Sequence, residues 1–158
     1  METLAIKKII KDDKVKILFL GAVHGNEKCG TWAIEKVIKM FENKTLELLK
    51  GTVTFMPICN PLAYAQNERD VGVNLNRIIK KYDSFAGSEE YFANQISLEI
   101  EKNDMVIDIH SSRNEDDKPC VFLDYENEGN ISLSDATTIK FILKGYPAAF
   151  NKNGKYEN

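Results

Sequence analysis

Runs of apolar residues bounded by polar clusters divide the chain into short strands alternating with amphipathic helices. Residues 15–20 (VKILFL) form an apolar run that reads as a buried strand and ends at Gly21. Residues 3–10 are expected to be its partner strand, with the polar segment 11–14 as the turn between them. Residues 29–43 read as a helix, with Ala33, Val37 and Met40 on one face and Ile34, Ile38 and Phe41 beside them. After Gly51 comes a β-rich stretch, residues 52–58 (TVTFMPI), which ends at Asn60-Pro61. A second amphipathic helix is expected over 89–102 through Phe92, Ile96 and Ile100, followed by a short strand, MVIDI, that runs straight into His110. Residues 120–125 (CVFLDY) read as another strand, and Ser134 as the N-cap of a third helix that stops near Gly145 and Pro147. The last eight residues (NKNGKYEN) are polar and carry no regular pattern. Strands alternating with helices indicate an α/β sandwich around a mixed, largely parallel sheet.

Composition narrows the class of partner. A chain of 158 residues is room for a single domain, and 43% apolar with 28% charged residues is ordinary for a globular protein. With Lys+Arg at 21 against Asp+Glu at 24, the net charge of −3 argues against a nucleic-acid partner. The longest apolar stretch, residues 17–23, is about a third of a bilayer span, so no membrane partner is expected. The N-terminus lacks an apolar signal segment and a cleavage site. The three cysteines, Cys29, Cys59 and Cys120, form no CxxC pair, which argues against a disulfide framework; each reads as a small buried hydrophobe. A cytoplasmic location follows from these readings.

The candidate chemistry lies at the strand ends. The chain has only two histidines, His24 and His110, and each closely follows an apolar strand. In open α/β sheets, ligand-binding groups collect beyond the carboxyl ends of the strands. Glu27 lies three residues after His24 in a Gly-containing turn, HGNE. Two imidazoles and one carboxylate with a fourth position open is the ligand set of a hydrolytic zinc site. An HxxE triplet alone is a weak signal; both histidines at equivalent places strengthen it. The second constellation is Asn60-Pro61, then Arg69, then Asn74-Leu75-Asn76-Arg77. Its arginines would suit a bidentate grip on a carboxylate. The competing reading is a solvated loop whose arginines pair with Glu68 and Asp70.

Taken together, GAV-His24-GN-Glu27, Asn60-Pro61, Arg69 followed by NL-Asn76-Arg77, and DI-His110-SS resemble the succinylglutamate desuccinylase/aspartoacylase family, the deacylase branch of the zinc carboxypeptidase-like hydrolases. The motifs occur in the family's order and span residues 21–112. The resemblance implies a three-layer α/β/α sandwich of the zinc exopeptidase type. It also implies one zinc per chain on His24, Glu27 and His110. Arg69 would polarise the scissile carbonyl and stabilise its oxyanion, and Asn76 and Arg77, with Arg69, would hold a carboxylate-bearing substrate. The implied activity is amide hydrolysis of an N-acyl amino acid or a C-terminal peptide.

Two departures from the family pattern stand out. An acidic residue is usual where Asn74 stands, and its loss is expected to weaken the orientation of the arginines. The family's general base is a Glu on a later strand, and no glutamate here matches it: Glu126 and Glu128 directly follow residues 120–125, and Glu157 lies in the tail. Residues 1–158 therefore read as a single catalytic domain lacking its C-terminal portion. The alternative to a working hydrolase is an inactive remnant that binds zinc or a carboxylate. An incomplete sheet would also offer an edge for self-association.

Overall fold

The computed structural model describes residues 3–111 and the short strands at 149–150 and 156–157. The strand expected at 120–125, the helix expected from Ser134, and Cys120, Glu126 and Glu128 lie outside the described residues. The chain divides into two compact units, Met1–Ser111 and Ser112–Asn158. In the second, β5 (Ala149–Phe150) pairs antiparallel with β6 (Tyr156–Glu157), with Phe150 opposite Tyr156. The polar tail thus contributes a strand where no pattern was expected, because two residues are too short to display alternation.

The first unit is built on a four-stranded sheet in the order β1-β3-β2-β4, formed by β1 (Lys7–Ile10), β2 (Lys16–Gly21), β3 (Thr52–Met56) and β4 (Met105–Ile109). β2 is parallel to both β3 and β4, and β1 runs antiparallel to β3. A strand with neighbours on both sides and helices over both faces needs apolar residues throughout, which explains the unbroken ILFL run of β2. Its alternate residues serve opposite faces. Phe19 stacks on Phe55, which also meets Phe41 of the helix α1 (Cys29–Glu42). Leu18 and Leu20 join Met56 in the other core with Phe92, Ala93 and Ile96 of the helix α3 (Ser88–Ile100). Helix, sheet and helix form the three layers expected from the sequence.

Two local features differ from expectation. First, β1 pairs with β3 and not with β2. Asp12 redirects the connection: its Oδ1 accepts from Gly51 N–H at 2.8 Å and its carbonyl accepts from Thr52 Oγ1 at 2.9 Å, fastening the segment before β2 to the start of β3. β1 then lies outside β3 as a largely exposed edge carrying two lysines, a composition that discourages further pairing. Second, a six-residue helix, α2 (Pro61–Gln66), follows Asn60-Pro61. The Asn60 side chain accepts from Ala63 N–H, Pro61 occupies the first turn where its missing N–H costs nothing, and Asn67 ends the helix in the left-handed conformation at φ 56°.

Candidate metal centre

The site sits where β2 and β4 end side by side, with Gly21 paired to Ile109. Beyond β2 the chain turns through Ala22 at φ 47° and buries His24, which is 2% exposed. Glu27 N–H donates to the His24 carbonyl at 3.0 Å, closing the HGNE turn and bringing the two side chains together. Glycines make this turn fit. A Cβ on Gly25 would lie 2.1 Å from the Ala63 carbonyl carbon in α2, and one on Gly30 would lie 2.8 Å from the Ile109 oxygen. The start of α1 can therefore press against the end of β4, where His110 emerges.

The result is a small cluster. Donor atoms of His24, Glu27 and His110 lie within 4.8 Å of one another, and the two imidazole centroids are 4.9 Å apart. Both rings turn Nδ1 toward the Glu27 carboxylate, each at 2.9 Å from a different oxygen. The His24 contact is not aligned as a hydrogen bond, so its buried Nδ1 has no hydrogen-bond partner. An imidazole nitrogen buried without a partner, facing a second imidazole and a carboxylate, fits a metal ligand in both donor type and direction.

Glu27 is only 4% exposed. Burial pushes its carboxyl up, but the Ser111 N–H at 2.9 Å, the His110 bond and the adjacent histidines together outweigh this and hold it below its ordinary value. Arg69 Nη1 donates to Glu27 Oε1 at 2.7 Å. On the far side of His110, Nε2 lies 2.8 Å from Asp108 Oδ2, and this bond is the main reason the His110 pKa is raised; burial opposes it, and Glu27 adds to it.

A family model for the succinylglutamate desuccinylase/aspartoacylase catalytic domain matches residues 13–153. The chain belongs to this family. Among solved structures, the chain is similar to an aspartoacylase family protein from Mesorhizobium loti, at 27% identity and a TM-score of 0.61 over 68% of this chain and 34% of that one. It is also similar to a succinylglutamate desuccinylase from a Silicibacter species (23% identity, TM-score 0.58, 68% and 33% covered). A third likeness is to the succinylglutamate desuccinylase from Vibrio parahaemolyticus (19% identity, TM-score 0.58, 68% and 40% covered). The chain thus aligns with well under half the length of each of these structures. No curated protein matches it.

Within this desuccinylase/aspartoacylase domain, the other expected site residues divide. Arg69 reaches the cluster, and its ion pair is with Glu27 rather than with Glu68 or Asp70. Asn76 and Arg77 lie in a 3₁₀ turn (Leu75–Arg77) anchored by the fully buried Leu75, and both are exposed to solvent. Asn74, expected to matter through the arginines, instead places Oδ1 3.3 Å from His24 Nε2. Sequence reasoning also passed over Asp108. The period of two in a strand was the available signal, since it sets Asp108 on the same side as His110. Cys59 is buried as expected, and burial, aided by the Asp108 charge, raises its thiol pKa far above the usual range. Cys29 is only partly buried, with Sγ 3.6 Å from the His110 carbonyl. No helix among the described residues is long and apolar enough to cross a membrane.

Proposed function

We propose that this chain is a zinc-dependent hydrolase of the desuccinylase/aspartoacylase type, cleaving an amide bond in an N-acyl amino acid or a carboxylate-bearing peptide. The observation that carries this reading is the convergence of His24, Glu27 and His110, two Nδ1 atoms and a carboxylate, in a member of this family. Zinc, when bound, supplies a Lewis acid that activates water and polarises a carbonyl. The chain's own residues supply two further roles. Arg69 spends one nitrogen on Glu27 and remains 43% exposed, leaving guanidinium N–H groups to stabilise an oxyanion. Arg77 and Asn76 face solvent, where they can take a substrate carboxylate.

A second reading, metal and carboxylate binding without turnover, is favoured by one observation. Among the described residues, the carboxylates touching the cluster are Glu27 and Asp108, and both are already engaged with the histidines. Loss of general acid–base help costs typically about 10²–10⁴-fold in rate. The test is zinc content after loading and dialysis, followed by hydrolysis assays on a panel of N-acyl amino acids. One zinc per chain, lost in His24→Ala and His110→Ala, supports the metal site; zinc-dependent amide cleavage abolished by Arg69→Ala supports the hydrolase. Zinc binding with no cleavage selects the second reading. Absence of zinc defeats both.

A further inference from the structure

We propose that Asn74 is a positioning residue: its amide oxygen fixes His24 in the tautomer that leaves Nδ1 free to bind a metal, and ties this ligand to the turn carrying Asn76 and Arg77. The inference rests on the zinc reading above for its purpose, but not for its geometry. Asn74 Oδ1 accepts from Asn76 N–H at 3.0 Å, where it caps the 3₁₀ turn, and lies 3.3 Å from His24 Nε2. A backbone N–H can only donate, so the atom it meets must be the amide oxygen and not the amide nitrogen. An oxygen without a hydrogen cannot donate to His24, so Nε2 must carry the proton. In the neutral ring the other nitrogen is then bare, and that is Nδ1, the buried atom without a hydrogen-bond partner that faces Glu27 and His110.

Burial strengthens the argument. His24 is 2% exposed, so water cannot readily stabilise the opposite tautomer. The two histidines present the same nitrogen to the centre, but their outer partners differ: a carboxylate, Asp108, at 2.8 Å for His110, and a neutral amide at 3.3 Å for His24. An outer carboxylate raises the basicity of a ligating imidazole more than an amide does. His24 is therefore the weaker arm of the site, and its hold can be tuned at position 74.

The test compares the wild type with Asn74→Ala and Asn74→Asp. Zinc affinity is read by chelator competition, and the His24 ring nitrogens by 15N NMR in the zinc-free protein. We expect Asn74→Ala to weaken zinc binding about 10–100-fold. Asn74→Asp, which keeps both acceptor contacts and adds charge, should match or exceed the wild type. The NMR arm should show the Nε2-protonated tautomer in the wild type and a mixture in Asn74→Ala. Wild-type zinc affinity together with an unchanged tautomer in Asn74→Ala would overturn the proposal, as would Asn74→Asp binding as weakly as Asn74→Ala. If the wild type binds no zinc, the zinc reading fails, while the tautomer arm still decides the role of Asn74.

Discussion

Replacing Gly25 with alanine should disable the site without touching a ligand. An ideal Cβ there would lie 2.1 Å from the Ala63 carbonyl carbon, 2.2 Å from Tyr64 N and 2.4 Å from the Ala63 oxygen. All three are backbone atoms of α2, so no side chain can swing aside. Ordinary contact would need the HGNE turn and α2 to separate by roughly 1 Å or more. Neither has room to retreat. Ala63 is fully buried, Asn60 caps the helix against it, and Gly25 N–H donates to the Arg69 carbonyl at 3.2 Å. Overpacking of this kind costs about 1–3 kcal/mol, and a backbone-on-backbone clash belongs at the upper end. The same displacement shifts His24 and Glu27 relative to His110, which is held on a different strand, so zinc affinity should fall at least about tenfold. Urea unfolding gives the first quantity and chelator competition the second. Gly87→Ala is the control, because its Cβ would meet nothing closer than a Glu89 carboxylate oxygen at 3.6 Å. Should Gly25→Ala unfold within about 0.5 kcal/mol of the wild type and keep its zinc affinity, the close approach would not be what shapes the turn.

Two further outcomes can be measured. Arg77→Ala should bind a small carboxylate ligand about 1.5–3 kcal/mol more weakly by calorimetry, and unchanged binding would return Arg77 to the solvated-loop reading. Glu99→Gln should lose about 1–3 kcal/mol of stability at pH 7, toward the lower end because Lys8 and Lys102 are partly exposed. Burial pushes the Glu99 carboxyl up, but the Lys102 and Lys8 bonds outweigh it and hold its pKa below the usual 4.5. The folded pKa lies below the unfolded one, so the wild-type advantage is present in full above pH 4.5 and fades as pH falls through the folded value; an advantage that grows toward acid would contradict the pairing.

The elements legible in the sequence are those with several turns or a continuous apolar run. α1 and β4 lie within one residue of the expected bounds, because a fourteen-residue amphipathic face and a run such as MVIDI carry strong periodic signals. α2 was hidden because six residues show less than two turns of pattern; only the Asn60-Pro61 start signal marked it. The three cluster residues were legible because histidine is rare here and both copies follow strands. Asn74 was not. Its acceptance from Asn76 is local, but its contact with His24 spans fifty residues, and nothing in the letters encodes that fold-back.

The strand order joins these observations, and it exposes a conflict within the sequence reading itself. β2 has two edges. Joining β1 to it as a hairpin would leave one edge for both β3 and β4, and one of those strands would be carried a further strand spacing of about 4.8 Å from the end of β2. Displacing β4 would separate His110 from His24 and Glu27; displacing β3 would carry off Asn60, and with it α2 and the segment that leads to Arg69. A shared site for all these residues requires β2 to have β3 on one side and β4 on the other, which is the observed order, with β1 displaced to the outer edge of β3. Chemistry gathered at the strand ends and a β1–β2 hairpin could not both hold. The chemistry at the strand ends was the stronger constraint, because it linked three separate segments, whereas the hairpin rested on proximity along the chain alone.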